Sequence, residues 1–392
     1  VFQRPMWLLL PVLIILCFGV PHASNAYSGD GNAKTLGYKV AAEMLTNSIN
    51  FSADPCMDFF NFACGKWISS NPIPSHEARV DRWRKLADTT EKQMRNAFES
   101  AENFTSRSMN FLKTMYRKCM DKKELNKIGS SRLLQSIKSY GVWPTVDGDE
   151  KWRVEDFDLT SLMIHVSKMR GLGLNIFIAV GVALDAKNVS RRLVQFDQGD
   201  LGMGEGTRDY YLDRTRHGKK IEAYKQRLIG EMKLIHEYAS LTKNDRKIAT
   251  DMEEIIKFET EIAKIMVPEE DRRNHTKMYN LRHLSDMQKL MPMIDWFRYF
   301  RSIAPPSVHK YFASNPEILV AEVDYVKKVT KLLQSTDPRI ITNYVFIRLT
   351  SSLNEDGALG ERFEDVLQVR NIFICTALDL TQSKIVWGAC TK

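Results

Sequence analysis

The 392 residues contain no His-Glu-x-x-His. That pattern would set two imidazoles on one helix face beside a general base, the ligand arrangement of many zinc peptidases. Two stretches begin it and stop: His76-Glu77 continues as Ala-Arg-Val, and His236-Glu237 as Tyr-Ala-Ser. The eight histidines are scattered, so each is read as a surface or packing residue. A Gly-x-Ser-x-Gly elbow is also missing, which removes the motif of an α/β-hydrolase. GLGLN (171–175) and LGMGEG (201–206) lack Gly-Lys-Ser/Thr and dinucleotide spacing, so both are read as turns and not phosphate cradles. The acidic clusters Glu253-Glu254 and Glu269-Glu270-Asp271 are read as solvated helix faces. No complete active site is visible.

Charge of one sign is not concentrated either. Lys and Arg number 56 against 48 Asp and Glu, a net +8 spread along the chain. Without a basic stripe or aromatic-basic motif, no nucleic-acid partner is expected. The long apolar run, MWLLLPVLIILCFGV (6–20), has 15 residues and is broken by Pro11. A membrane-spanning helix needs about 20 apolar residues. Ser24 and Ala26 follow at signal-peptidase spacing, so residues 1–26 read as a secretory signal, with an uncleaved signal anchor as the alternative. Either places the remainder outside the cytosol, secreted or held at the plasma membrane through residues 6–20. Four N-x-S/T sequons agree with that compartment: Asn50, Asn103, Asn188 and Asn274.

Cysteine is scarce, with six in the chain. Cys17 lies in the apolar run, leaving Cys56, Cys64, Cys119, Cys375 and Cys390, an odd set for an oxidising compartment. If FFNFA between Cys56 and Cys64 is helical, their Cα atoms lie roughly 12 Å apart, beyond the about 7 Å reach of a disulfide. Each then needs a distant partner. Zinc suits this pair poorly, since structural sites use closer spacing and further ligands nearby.

What the chain does have is helical periodicity. At 44% hydrophobic residues it can bury a sizeable core. In 250–267 apolar residues recur at helical spacing, with Thr250 and Glu253 as a capping box and Pro268 as the stop. Similar patterns predict helices over 82–98, 108–119, 221–240, 318–334 and 339–353. The β-branched LNIFIAVGV (174–182) and LVQFDQ (193–198), separated by DAKNVS, predict a small hairpin. The fold class expected is mainly α with that hairpin.

One stretch carries a more specific message. DPCMDFFNFACGKWISSNPIP (54–74) places Cys56, Asp58, Phe59, Phe60, Phe62, Ala63, Cys64, Gly65, Trp67, Asn71, Ile73 and Pro74 in a fixed order. MYRKCM (115–120), YGVWP (140–144), DQGDLGMGEGTRDYYL (197–212), MYNLRHLSDMQKLMPMIDW (278–296), NYVFIRL (343–349) and WGAC (387–390) follow. Together they resemble the N-terminal half of the neprilysin and endothelin-converting-enzyme family of zinc metalloendopeptidases. The resemblance implies two largely helical domains around a central cavity. The C-terminal one holds zinc, and much of the N-terminal half forms a lid that admits small peptides. It implies water attack on a peptide carbonyl, activated by zinc and a glutamate.

It implies further that residues 51–392 are a lid-bearing N-terminal domain, that 27–50 are a linker, and that the zinc ligands lie in a C-terminal half outside this sequence. Zinc is then a cofactor of the longer protein, and none is bound by this chain. By resemblance Cys119 pairs with Cys390, Cys56 and Cys64 pair with cysteines of that absent half, and Cys375 has no placed partner. Arg79 matches the arginine that binds the C-terminal carboxylate of short peptides, while Arg84 stands where some members carry an aspartate. A second expectation stays open: a short non-catalytic homologue that binds peptides or a partner protein.

Overall fold

The computed structural model describes residues 36–73, 80–129, 131–241 and 244–355, with Arg362 and Val366. The chain divides into two compact units at Lys85/Leu86.

The first unit holds helices α1 (Leu36–Thr46) and α2 (Phe59–Ser69), and α3 (Arg82–Glu99) starts within it. α1 lies inside the span expected as a linker. Asp58 caps α2 by accepting the Asn61 N–H, which starts a helix over the aromatic signature. That helix buries none of its residues: Phe59 is 58% exposed and Phe60 67%. Gly65 is required by closeness, since a Cβ there would lie 2.3 Å from Asn61 Oδ1 and 3.1 Å from Asn50 Cβ.

The second unit is helical around a small sheet. α4 (Arg107–Cys119) and α5 (Leu159–Arg170) precede strands β1 (Ile178–Asp185) and β2 (Asn188–Gln198). The long helices α6 (Arg214–Tyr238) and α7 (Asp245–Ile265) follow. Then come β3 (Asn280–His283), α8 (Trp296–Ile303), β4 (Glu317–Val320), α9 (Val323–Ser335) and α10 (Pro338–Glu355). The mainly α expectation holds. The predicted hairpin is the antiparallel pair β1–β2, and it belongs to a larger sheet of order β1-β2-β4-β3.

Two local expectations are corrected. Residues 317–320 are strand and not the start of a helix, because Ile318 and Val320 alternate with half-buried neighbours and pair in parallel with β2. Positive φ at Asn315 breaks the chain just before them. α7 starts before Thr250: Asn244 caps it by accepting the Lys247 N–H, and Thr250 instead donates to the Arg246 carbonyl inside the helix.

The main core is an aromatic-rich cluster, with a smaller separate one of Phe98 and Tyr116. Phe196 of β2 meets Trp296 and Phe300 of α8 edge-on, and Phe177, Phe258 and Tyr344 form a second group of ring contacts. Full burial of such side chains contributes about 1.5–3 kcal/mol each.

Candidate functional site

The glycine-rich loop between β2 and the short helix Arg208–Leu212 is the best-organised site on the second unit. Its footing is a buried polar network. Glu259 is fully buried on α7 and accepts the Gly202 N–H at 2.6 Å, the Tyr211 hydroxyl at 3.0 Å and the Tyr344 hydroxyl at 3.0 Å. Arg348 on α10 donates to Tyr344 Oη at 2.8 Å and to the Asp200 carbonyl, and lies 3.9 Å from Glu259. Burial raises the hydroxyl pKa of Tyr211, Tyr224 and Tyr344, and Glu259 adds to the rise, so all three remain protonated. Burial works against the Arg348 charge, but Tyr344 and Glu259 outweigh it and hold its pKa above the ordinary value. A buried charge is tolerated only with such partners.

The loop can only be built with glycine at two points. A Cβ at Gly202 would lie 1.9 Å from Tyr224 Oη, and one at Gly199 would lie 2.7 Å from the Ile176 carbonyl oxygen. The rim is tied down separately. Gln198 grips Val267 through both N–H and carbonyl, at 3.0 and 3.1 Å. Arg272 joins Asp197 at 2.5 Å and Glu322 at 3.3 Å. The loop walls a cavity of about 420 Å³, whose lining carries six carboxyl side chains, Asp200 and Glu270 among them, against two guanidinium groups, Arg208 and Arg272. That charge disfavours phosphate, in agreement with the reading of LGMGEG as a turn.

The residues singled out in the sequence lie elsewhere or beyond view. Arg79, Cys375 and Cys390 fall outside the described residues, as does the apolar run 6–20. Cys56 is exposed, and Cys64 and Cys119 are half-buried thiols with no disulfide to another described residue. Asn103, Asn188 and Asn274 are exposed, whereas Asn50 is half-buried and its Nδ2 faces Asn61 Oδ1 at 3.4 Å. His236 is a packing residue, buried and bonded through Nδ1 to the Met232 carbonyl. The acidic pair on α7 is not merely solvated, because Glu253 meets Lys225 and Glu254 meets Arg339. Among the described residues no group of three or more His, Cys, Asp or Glu could hold a metal, and no helix is long and apolar enough to cross a membrane.

Sequence reasoning missed Glu259 and Arg348. The signal was present: Glu259 sits on the stripe of Met252, Ile255, Ile256 and Ile262, and an acid on an apolar face demands a buried partner.

The fold defines a class. It matches the zinc metalloprotease Zmp1 of Mycobacterium tuberculosis with a TM-score of 0.63, covering 88% of this chain and 49% of that one, at 20% identity. At that identity the likeness is one of fold. The chain belongs to peptidase family M13: a model of the family's N-terminal region matches residues 55–378. Neprilysin-1 of Caenorhabditis elegans is 42% identical over 333 residues, covering 85% of this chain and 44% of that protein. Endothelin-converting enzyme 1 of Cavia porcellus is 29% identical over 324 residues, covering 82% and 40%. The chain thus spans under half the length of these relatives.

Proposed function

We propose that this chain is the N-terminal, lid-bearing portion of a secreted or membrane-anchored zinc metalloendopeptidase that hydrolyses small peptides. The observation that carries the reading is the family match over 55–378, set against 44% coverage of Neprilysin-1. The described residues do not fit zinc, for want of a converging donor set. The chain alone is inactive in this reading.

Its own contribution is to bind and enclose. Arg79 presents a planar guanidinium to a peptide's terminal carboxylate. Residues 1–26 direct secretion or anchor the protein, Asn103, Asn188 and Asn274 carry glycans, and Cys119 bonds Cys390. The buried network under the 199–207 loop keeps one wall of the lid rigid. The exposed aromatics of α2 support a further, C-terminal portion as their cover, with Cys56 and Cys64 cross-linked to it.

The test is expression of the full reading frame in a secreting host beside residues 27–392 alone. The long product should cleave a quenched fluorescent peptide and lose that activity to a chelator, and the short one should not cleave. Hydrolysis by 27–392 would refute the reading. A natural transcript ending at Lys392 would favour the non-catalytic binding module.

A further inference from the structure

Two adjacent arginines of β2 have opposite surroundings. Arg191 is held by Asp185 at 2.8 Å and Glu317 at 2.6 Å. Arg192 projects to the other face of the sheet and is exposed, and its side chain makes no hydrogen bond or ion pair among the described residues. It lines a groove of about 400 Å³ and is the one charged side chain in that lining. The rest is almost wholly apolar, including Val180 and Val182 of β1, Val194 of β2, and Ile303, Val308 and Phe312. That volume and composition fall within the range of ligand-binding sites. An unmatched guanidinium beside an apolar wall favours an anion attached to an apolar body, because charge attraction strengthens as water is excluded.

A third observation narrows the ligand. β1 is the outer strand of the order β1-β2-β4-β3, so one row of its backbone N–H and C=O groups faces no strand among the described residues. Val182 on the groove face is 63% exposed. We propose that this groove binds an extended peptide segment. Its main chain runs along the β1 edge, an apolar side chain fills the groove, and its C-terminal carboxylate pairs with Arg192. Strand addition of this kind draws affinity from main-chain bonds and specificity from alternate side-chain pockets. A fatty acid would satisfy Arg192 but leave the strand edge unused. The choice of a peptide rests on the peptidase reading, whereas the groove's chemistry does not.

The experiment uses the full-length secreted product with chelator present, so that the probe is not consumed. Fluorescein-labelled Val-Thr-Val-Val is offered as free acid and as C-terminal amide, with anisotropy as readout. The acid should bind about tenfold more tightly than the amide, as a charge-assisted bond predicts. In an Arg79→Gln background, which removes the other carboxylate contact proposed above, Arg192→Gln should remove that difference, and Val182→Glu should weaken the acid at least tenfold. Lys289→Gln, an exposed charge away from the groove, should change nothing. Both groove positions are exposed, and a thermal melt confirms that each variant is folded. The proposal is overturned if acid and amide bind alike, if neither groove variant alters binding, or if decanoate occupies the groove and the peptide does not. Hydrolysis without groove binding would sink the groove alone, and groove binding without hydrolysis would sink the peptidase reading alone.

Discussion

The two units are both rich in aromatic residues and use them in opposite ways. In the second, Phe196, Trp296 and Phe300 are within 3% of complete burial. In the first, Phe51, Phe59 and Phe60 are 58–72% exposed, and no described apolar residue before Phe98 is buried. A patch of this kind on a folded protein marks an interaction surface. Apolar content therefore does not by itself report a core. The second unit buries these rings in a core, while the first leaves its rings at the surface.

Substitutions can break or sharpen that contrast. The largest effect is expected at Glu259→Ala, which strands the buried Arg348 charge and removes the acceptor of three donors. A loss of about 3–5 kcal/mol, read by urea denaturation of the second unit's transition, is expected. A comparable cost, about 3–5 kcal/mol, should follow Phe196→Ala. The matching change in the first unit, Phe60→Ala, should cost less than about 0.5 kcal/mol in this chain. In the longer product proposed above, the same substitution should cost more, and equal effects in the two contexts would remove the case for a covering partner.

Gly202→Ala forces a methyl against Tyr224 and Glu259, and about 1–3 kcal/mol of overpacking is expected in the same denaturation curve. A smaller, pH-dependent effect belongs to Asp185 at the hairpin end. Burial opposes its charge, but the Lys187 N–H, the Arg191 guanidinium and the Tyr279 hydroxyl bring its pKa down to about 2. The unfolded value is about 3.9. The stabilisation is thus complete above the unfolded value and lost as pH falls through about 2. Melting temperature should decline over that window, and Asp185→Asn should flatten the decline.

Much of this could be read from residue order. The signature at 54–74, the loop at 197–212 and the helical stripes each rest on local spacing, and local spacing is what a sequence displays. The strand at 317–320 could not be read, because four residues of alternating burial become a strand only when β2 lies beside them. The footing of the glycine loop was half legible: an acid on the apolar stripe of α7 announces a buried partner without naming it.

Sequence alone determined that the chain is mainly helical and that it belongs with the M13 peptidases. The tertiary structure decided which groups meet over long separations: Glu259 with Tyr344 and Gly202, Arg191 with Glu317, and an Arg192 left unmatched over an apolar groove. The reason is physical. Helix and turn preferences are set by near neighbours, whereas the pairing of buried charge is set by whatever packing brings within a few ångströms.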